Sequence, residues 1–238
     1  MARHRRNRRR RRGRRRRRFM RRRPVISRGP LFGKYKVVKL RFSQAGQLLA
    51  TNTGPSDGDK WIVRSFMANG AGTPSLSNPG AQPEGFGLLA PLFQRVYTLG
   101  SKITFTVLPP DPAHSGICYL EKSTQNLDGT LSPDIQEVLA NKYCRYGFYG
   151  NGPGNSSKIQ KSYSFSTKRW FNVKDVKDND DLGQDINISG TPLAPPERTA
   201  YFNCGWANTH PTSAQTGSRD YVVVVDFICL FVGPRNVA

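Results

Sequence analysis

The sequence predicts an all-β chain: a single jelly-roll, meaning an eight-stranded antiparallel sandwich with long loops, one short helix and a disordered arginine-rich N-terminal arm. Three observations predict it. Short runs of alternating apolar and polar residues recur along the chain, the period-2 signature of half-buried strands. The stretches between them are rich in Gly, Pro, Ser and Asn, which form loops. No alternation of strand with helix occurs, which disfavours a parallel sheet and favours two antiparallel layers. The 238 residues, 37% of them hydrophobic and 11% aromatic, suffice for one large β domain with a core.

Taken in order, residues 1–23 read as an arm, 24–34 as a linker and 35–238 as the jelly-roll domain. The arm is of low complexity, and its like charges and scarce apolar surface cannot offset the entropy of ordering. Pro24, Gly29, Pro30 and Gly33 punctuate the linker. Val38, Leu40 and Phe42 alternate with Lys39 and Arg41 in a first strand, and Trp61 to Phe66 forms a second. Between Gly70 and Gly87 the composition predicts a long surface loop.

Ile103, Phe105 and Val107 alternate with polar residues until Pro109-Pro110 stops the strand. Ile117 to Leu120 is a short apolar strand. Ser132-Pro133-Asp134 reads as an N-cap, a first-turn proline and an early acid, with Ile135, Val138 and Leu139 at helical spacing behind them. Tyr143 to Tyr149 and the segment around Tyr163 and Phe165 read as strands, and Asp175 to Asp185 as an acidic surface loop. Tyr201 to Trp206 and Tyr221 to Val232 complete the set. The last run is nearly continuous in apolar residues, which predicts a central strand covered on both faces.

Charge is distributed more unevenly than the strands. The formal net charge is +21, and Met1 through Arg41 holds 21 Lys+Arg with no Asp or Glu. The remaining 16 basic residues face all 16 acids, so everything after Arg41 is formally neutral. Sixteen arginines crowd the first 23 positions: Arg3, Arg5, Arg6, Arg8, Arg9, Arg10, Arg11, Arg12, Arg14, Arg15, Arg16, Arg17, Arg18, Arg21, Arg22 and Arg23. Such asymmetry points to nucleic acid or a membrane surface. No apolar run follows that could serve as a signal peptide or span a bilayer, so membrane insertion is not expected.

Arginine carries a permanent charge on a planar fork that engages phosphate oxygens two at a time, and it stacks on unpaired bases. Phosphate contacts set affinity and base-edge contacts set specificity. The sixteen arginines are therefore predicted to bind nucleic acid tightly, non-specifically and with strong salt dependence. If each neutralises one phosphate of a single strand, log K falls with log[salt] at a slope near about −11. The block Arg8 to Arg12 and Arg14 to Arg18 also fits a nuclear localisation signal, with nuclear import receptors as partners.

Catalytic chemistry finds no support, and no enzyme, cofactor or metal is expected. The three histidines, His4, His114 and His210, form no metal or catalytic motif. Cys118, Cys144, Cys204 and Cys229 lack CxxC spacing and read as small buried hydrophobes. Gly150 to Gly154 is followed by a strand pattern rather than a helix and reads as a turn, not a phosphate loop. Asn155-Ser156-Ser157 and Asn187-Ile188-Ser189 match a glycosylation pattern by chance, and Asp178, Asp180 and Asp181 lack calcium-site spacing.

Three stretches together resemble the capsid proteins of circoviruses and cycloviruses, small viruses with circular single-stranded DNA genomes, with the cyclovirus branch the more similar. The arm ends in Met20-Arg21-Arg22-Arg23-Pro24-Val25. Leu92-Phe93-Gln94-Arg95-Val96-Tyr97 leads into Lys102 through Pro109. Asp220-Tyr221 opens a long final strand. The resemblance implies a virion protein whose copies, about 60 per icosahedral shell, package single-stranded DNA with inward arms. It also implies nuclear import during assembly and attachment to a host cell-surface receptor or glycan through outer loops. About 60 copies at +21 each bring on the order of 1,260 charges, which suits a circle of about one to two thousand nucleotides.

The alternative is a non-viral, ribosomal-like RNA-packing protein, basic and with a disordered extension. Its globular part would carry positive charge to face RNA, whereas this one is neutral. Arginine alone does not distinguish DNA from RNA. A protamine-like condenser would need no β domain, and a DNA-processing enzyme would need carboxylate pairs or a His motif.

Overall fold

The computed structural model describes residues 34–52, 59–108, 116–149, 159–187, 189–192, 194–208 and 218–235. The sixteen arm arginines, the linker up to Gly33, the three histidines, Asn155 and the Gly150–Gly154 turn lie outside the described residues.

Ten strands are described: β1 (Tyr35–Asn52), β2 (Asp59–Trp61), β3 (Arg64–Met67), β4 (Phe93–Leu108), β5 (Gly116–Ser123), β6 (Cys144–Tyr149), β7 (Ile159–Ser166), β8 (Gly183–Asp185), β9 (Tyr201–Asn208) and β10 (Ser218–Pro234). They form two antiparallel sheets. One runs β2-β1-β10-β4-β7, with β8 added beside β4, and the other runs β3-β9-β5-β6. The first long strand pairs with the last, from Tyr35 opposite Val232 to Leu49 opposite Ser218. The chain crosses between sheets at β2 to β3, β3 to β4, β4 to β5, β6 to β7, β8 to β9 and β9 to β10. This order is the double Greek key of a jelly roll.

Strand alternation places the core. Phe42, Phe105, Val223, Val225 and Phe227 point from the first sheet, and Phe66, Cys118, Leu120, Phe202 and Trp206 from the second, into one buried cluster. A bulge breaks the alternation in β4, where Ile228 pairs with Gly100 but Cys229 with Thr98, leaving Leu99 as an extra residue. Beyond it the parity reverses, and Tyr97 joins Val176, Leu182 and Leu230 in a small cluster apart from the main core.

Seven of the eight expected strands are present as single strands, and several readings change. Trp61 to Phe66 is not one strand but β2 and β3, which pair with different sheets. The expected Gly70–Gly87 loop is not all at the surface: residues 70–75 are mostly buried, with Ala71 and, near the loop's end, Phe86 fully so, and Gln184 accepts a hydrogen bond from the Gly72 amide at 3.0 Å. Small residues there permit close packing, and composition alone does not separate that from exposure.

The predicted helix is α2 (Ile135–Ala140), but Ser132 is not its cap. Ser132 is buried, and its hydroxyl accepts from the Trp61 amide at 3.2 Å, so Asp134 takes the N-cap position. Single helical turns also occur at α1 (Phe86–Leu89) and α3 (Thr167–Trp170), too short to show a 3.6-residue pattern. Finally, β10 is central, yet Val222 and Ile228 are 37% and 40% exposed, so most of it is buried on one face only.

The four cysteines are free thiols, three of them buried and Cys144 half-buried. Burial pushes the Cys144 and Cys229 thiols up to about 12 from an ordinary 9.0, and raises Cys118 and Cys204 as well. Above pH 9 the unfolded chain releases these protons and the folded chain retains them, so unfolding is favoured as pH rises. Denaturant midpoints should therefore be flat below that pH and fall progressively above it. A midpoint that stays level up to about two pH units higher would contradict this assignment.

Candidate nucleic-acid interface

The leader joins the body at Tyr35, the first residue of β1. Along β1 the residues opposite in phase to Leu40, Phe42 and Leu48 are exposed, among them Lys39, Arg41, Ser43, Ala45 and Gln47. Register places Arg41 across from Asp226, and Asp226 across from Lys102. Arg41 Nε donates to Asp226 Oδ1 at 2.7 Å and Nη2 to Oδ2 at 3.2 Å, an exposed fork that holds the guanidinium pKa above its ordinary value by hydrogen bonding and charge. Around it the outer face is small and weakly polar: Ala45, Val222, Thr104 and Thr106 share its rows with Ser162 of β7.

The neutral body is not evenly charged. Residues 141–174 contain seven Lys+Arg and no Asp or Glu, whereas 175–197 contain six acids and one Lys. The acidic part was expected to be a loop, but it docks on β4. β8 pairs Asp185 with Arg95, and a 3-10 turn at Asp180–Leu182 precedes it. Arg95 Nε donates to Asp185 at 2.5 Å, while its Nη1 reaches both Asp180 and the Tyr97 hydroxyl. The hydrogen bond to Asp185 is the main reason the Arg95 pKa is raised, with Tyr97 next. Arg198 meets Asp181 at 3.5 Å. The carboxylates are thus partly neutralised in place, and the uncompensated part of the body lies in residues 141–174. Summing charge over the whole body hides this, although the order of signs along the sequence displays it.

Among the described residues no three His, Cys, Asp or Glu side chains converge as a metal site, and no helix is long and apolar enough to cross a membrane. No family model matches the chain, and no curated protein matches it either.

Solved structures similar to it include viral capsid proteins. A virus-like particle of Macrobrachium rosenbergii nodavirus, from the giant freshwater prawn, aligns with 87% of this chain and 98% of its own at 11% identity and a TM-score of 0.46. Cocksfoot mottle virus aligns over 84% of this chain and 96% of its own at 10% identity and 0.44. The decameric BFDV capsid protein aligns over 83% and 99% at 11% identity and 0.42. At these values the fold assignment stands on this chain's own strand order and register.

Proposed function

We propose that the chain is the capsid protein of a small virus of the circovirus and cyclovirus type. In this reading, copies of the jelly-roll body associate into an icosahedral shell and the leader arginines bind a single-stranded DNA genome. One observation carries it: sixteen arginines without a single acid precede a body in which everything after Arg41 is formally neutral. A neutral body lets copies approach without long-range repulsion, while the polyanion screens the leaders. The jelly roll supports the reading as an architecture that viral shells use, an analogy of fold rather than of site. Its role is structural rather than catalytic.

The rival reading, an RNA-packing protein of ribosomal type, fits the balanced body less well. Nuclear import through Arg8 to Arg18 and cell attachment through outer loops belong to the same proposal, as do residence in the virion and in the host nucleus. The deciding experiment is electron microscopy of the purified protein, with nuclease-protected nucleic acid extracted and typed. Uniform small spherical particles holding DNA are expected. A stable monomer, or particles protecting only RNA, would overturn the assignment.

A further inference from the structure

The uncompensated stretch 141–174 carries eight aromatic residues among its seven cations, an interleaving suited to stacking bases between phosphate contacts. The fold gathers part of it at one seam. β6 is the last strand of its sheet and β7 the last of the other, and the two edges meet, Arg145 Nη1 donating to the Ser162 carbonyl at 2.7 Å. On β5, Lys122 follows Cys118 and Leu120 in phase and points to that seam, whereas Glu121 faces the opposite side, toward Asn141.

A cleft of about 990 Å3 lies beside Lys122, lined by Lys122, Tyr143, Arg169 and Trp170 among others, and among the described residues no Asp or Glu lines it. That size falls within the range of ligand sites, about 300–1,000 Å3. Lys122 Nζ rests 4.2 Å from the Tyr163 ring centre and 5.2 Å from that of Trp170, and the Arg145 guanidinium lies 4.4 Å from the same Tyr163 ring. Two cations therefore lie against one aromatic ring. Tyr143 meets Trp170 edge-on at 5.7 Å and is 44% exposed. Arg169 is exposed beside them.

We propose that this cleft holds a nucleotide of single-stranded nucleic acid, its phosphate against Lys122 and Arg169 and its base against the Tyr143–Trp170 pair. The inference deepens the packaging function above and rests on it, giving the body a contact of its own besides the leader. Burial and the charge of Arg145 both lower the Lys122 pKa, in that order, and a bound phosphate would reverse the second effect. Cations alone would accept any polyanion. Exposed aromatic rings beside them favour one with planar bases over a sulfated glycan.

The test uses the full chain and a short iodouracil-substituted thymidine oligonucleotide, cross-linked by light and mapped by mass spectrometry. Cross-links are expected on the peptides bearing Tyr143 or Trp170, and Arg169→Glu should cut their yield about tenfold. Arg169 is exposed and holds no partner among the described residues, so its melting temperature should shift by less than about 2 °C. Cross-links confined to the leader would overturn the cleft and leave the packaging function standing. Their absence everywhere would remove both. An unchanged yield in Arg169→Glu, or protection of the cleft by a sulfated oligosaccharide without any oligonucleotide cross-link, would also overturn it.

Discussion

Replacing the sixteen arginines of residues 3–23 with glutamine should empty the particles of nucleic acid while the body still folds. Non-specific binding is almost wholly a counterion-release effect, so removing its cations removes affinity and salt dependence together. In the native chain, log K should fall with log[salt] at a slope up to about −11, less where crowded arginines already hold anions. The glutamine variant should show a slope reduced to the few cations of the body, and retention lower by more than about a thousandfold. Arg→Lys throughout the leader is the informative control. It keeps the charge and hence most of the slope, but loses the bidentate fork and the stacking plane, so its affinity should fall between the two. A native slope near zero would end the packaging hypothesis, whatever the particles look like.

Trp206→Ala should be the most damaging single change in the body. Trp206 is fully buried on β9 and meets Trp61 edge-on at 6.4 Å. The Arg219 guanidinium lies 4.8 Å from the Trp61 ring and 5.5 Å from that of Trp206, so the pair shields a buried cation that truncation would expose to a void. Removing a buried tryptophan costs about 3–5 kcal/mol, against total stabilities of about 5–15 kcal/mol. Denaturant titration should show the midpoint collapse.

Gly116 supplies a second measurement at the same place. A Cβ there would lie 2.3 Å from the Trp206 ring, so Gly116→Ala should cost about 1–3 kcal/mol in the native background. In Trp206→Ala the obstructing ring is gone, and the same substitution should cost little or nothing. Additive losses in the double variant would show that the two residues do not meet as described.

Several parts of the fold were legible because they depend on neighbours in sequence. Alternation located the strands at Val38, Ile103 and Tyr163, a nearly continuous apolar run located the one at Tyr221, and Pro109 marked the end of β4 at Leu108. The helix at Ile135–Ala140 was visible from its 3.6-residue spacing. Ser132 departs from the expected cap because a hydroxyl before a helix is an equally good acceptor for a distant amide, here that of Trp61. The burial of residues 68–75 left no local mark, since Gly and Ser suit a tight interior as well as a loop.

The cation cleft shows the same division. Its residues are a run of one sign, readable from the order of Lys and Arg after Asn141, but nothing local brings Lys122 to the Tyr163 ring.

By itself the amino-acid order determined the class of architecture, the strand phases and the separation of a cationic leader from a balanced body. Charge and periodicity are properties of adjacent residues, so folding does not change them. Tertiary structure alone decided that Arg41 meets Asp226, that a bulge at Leu99 turns Tyr97 away from the main core, and that Lys122 comes to the Tyr163 ring. Each depends on which strands close upon one another across long sequence separations. That choice is set by the packing of the whole sandwich, and no short window of sequence contains it.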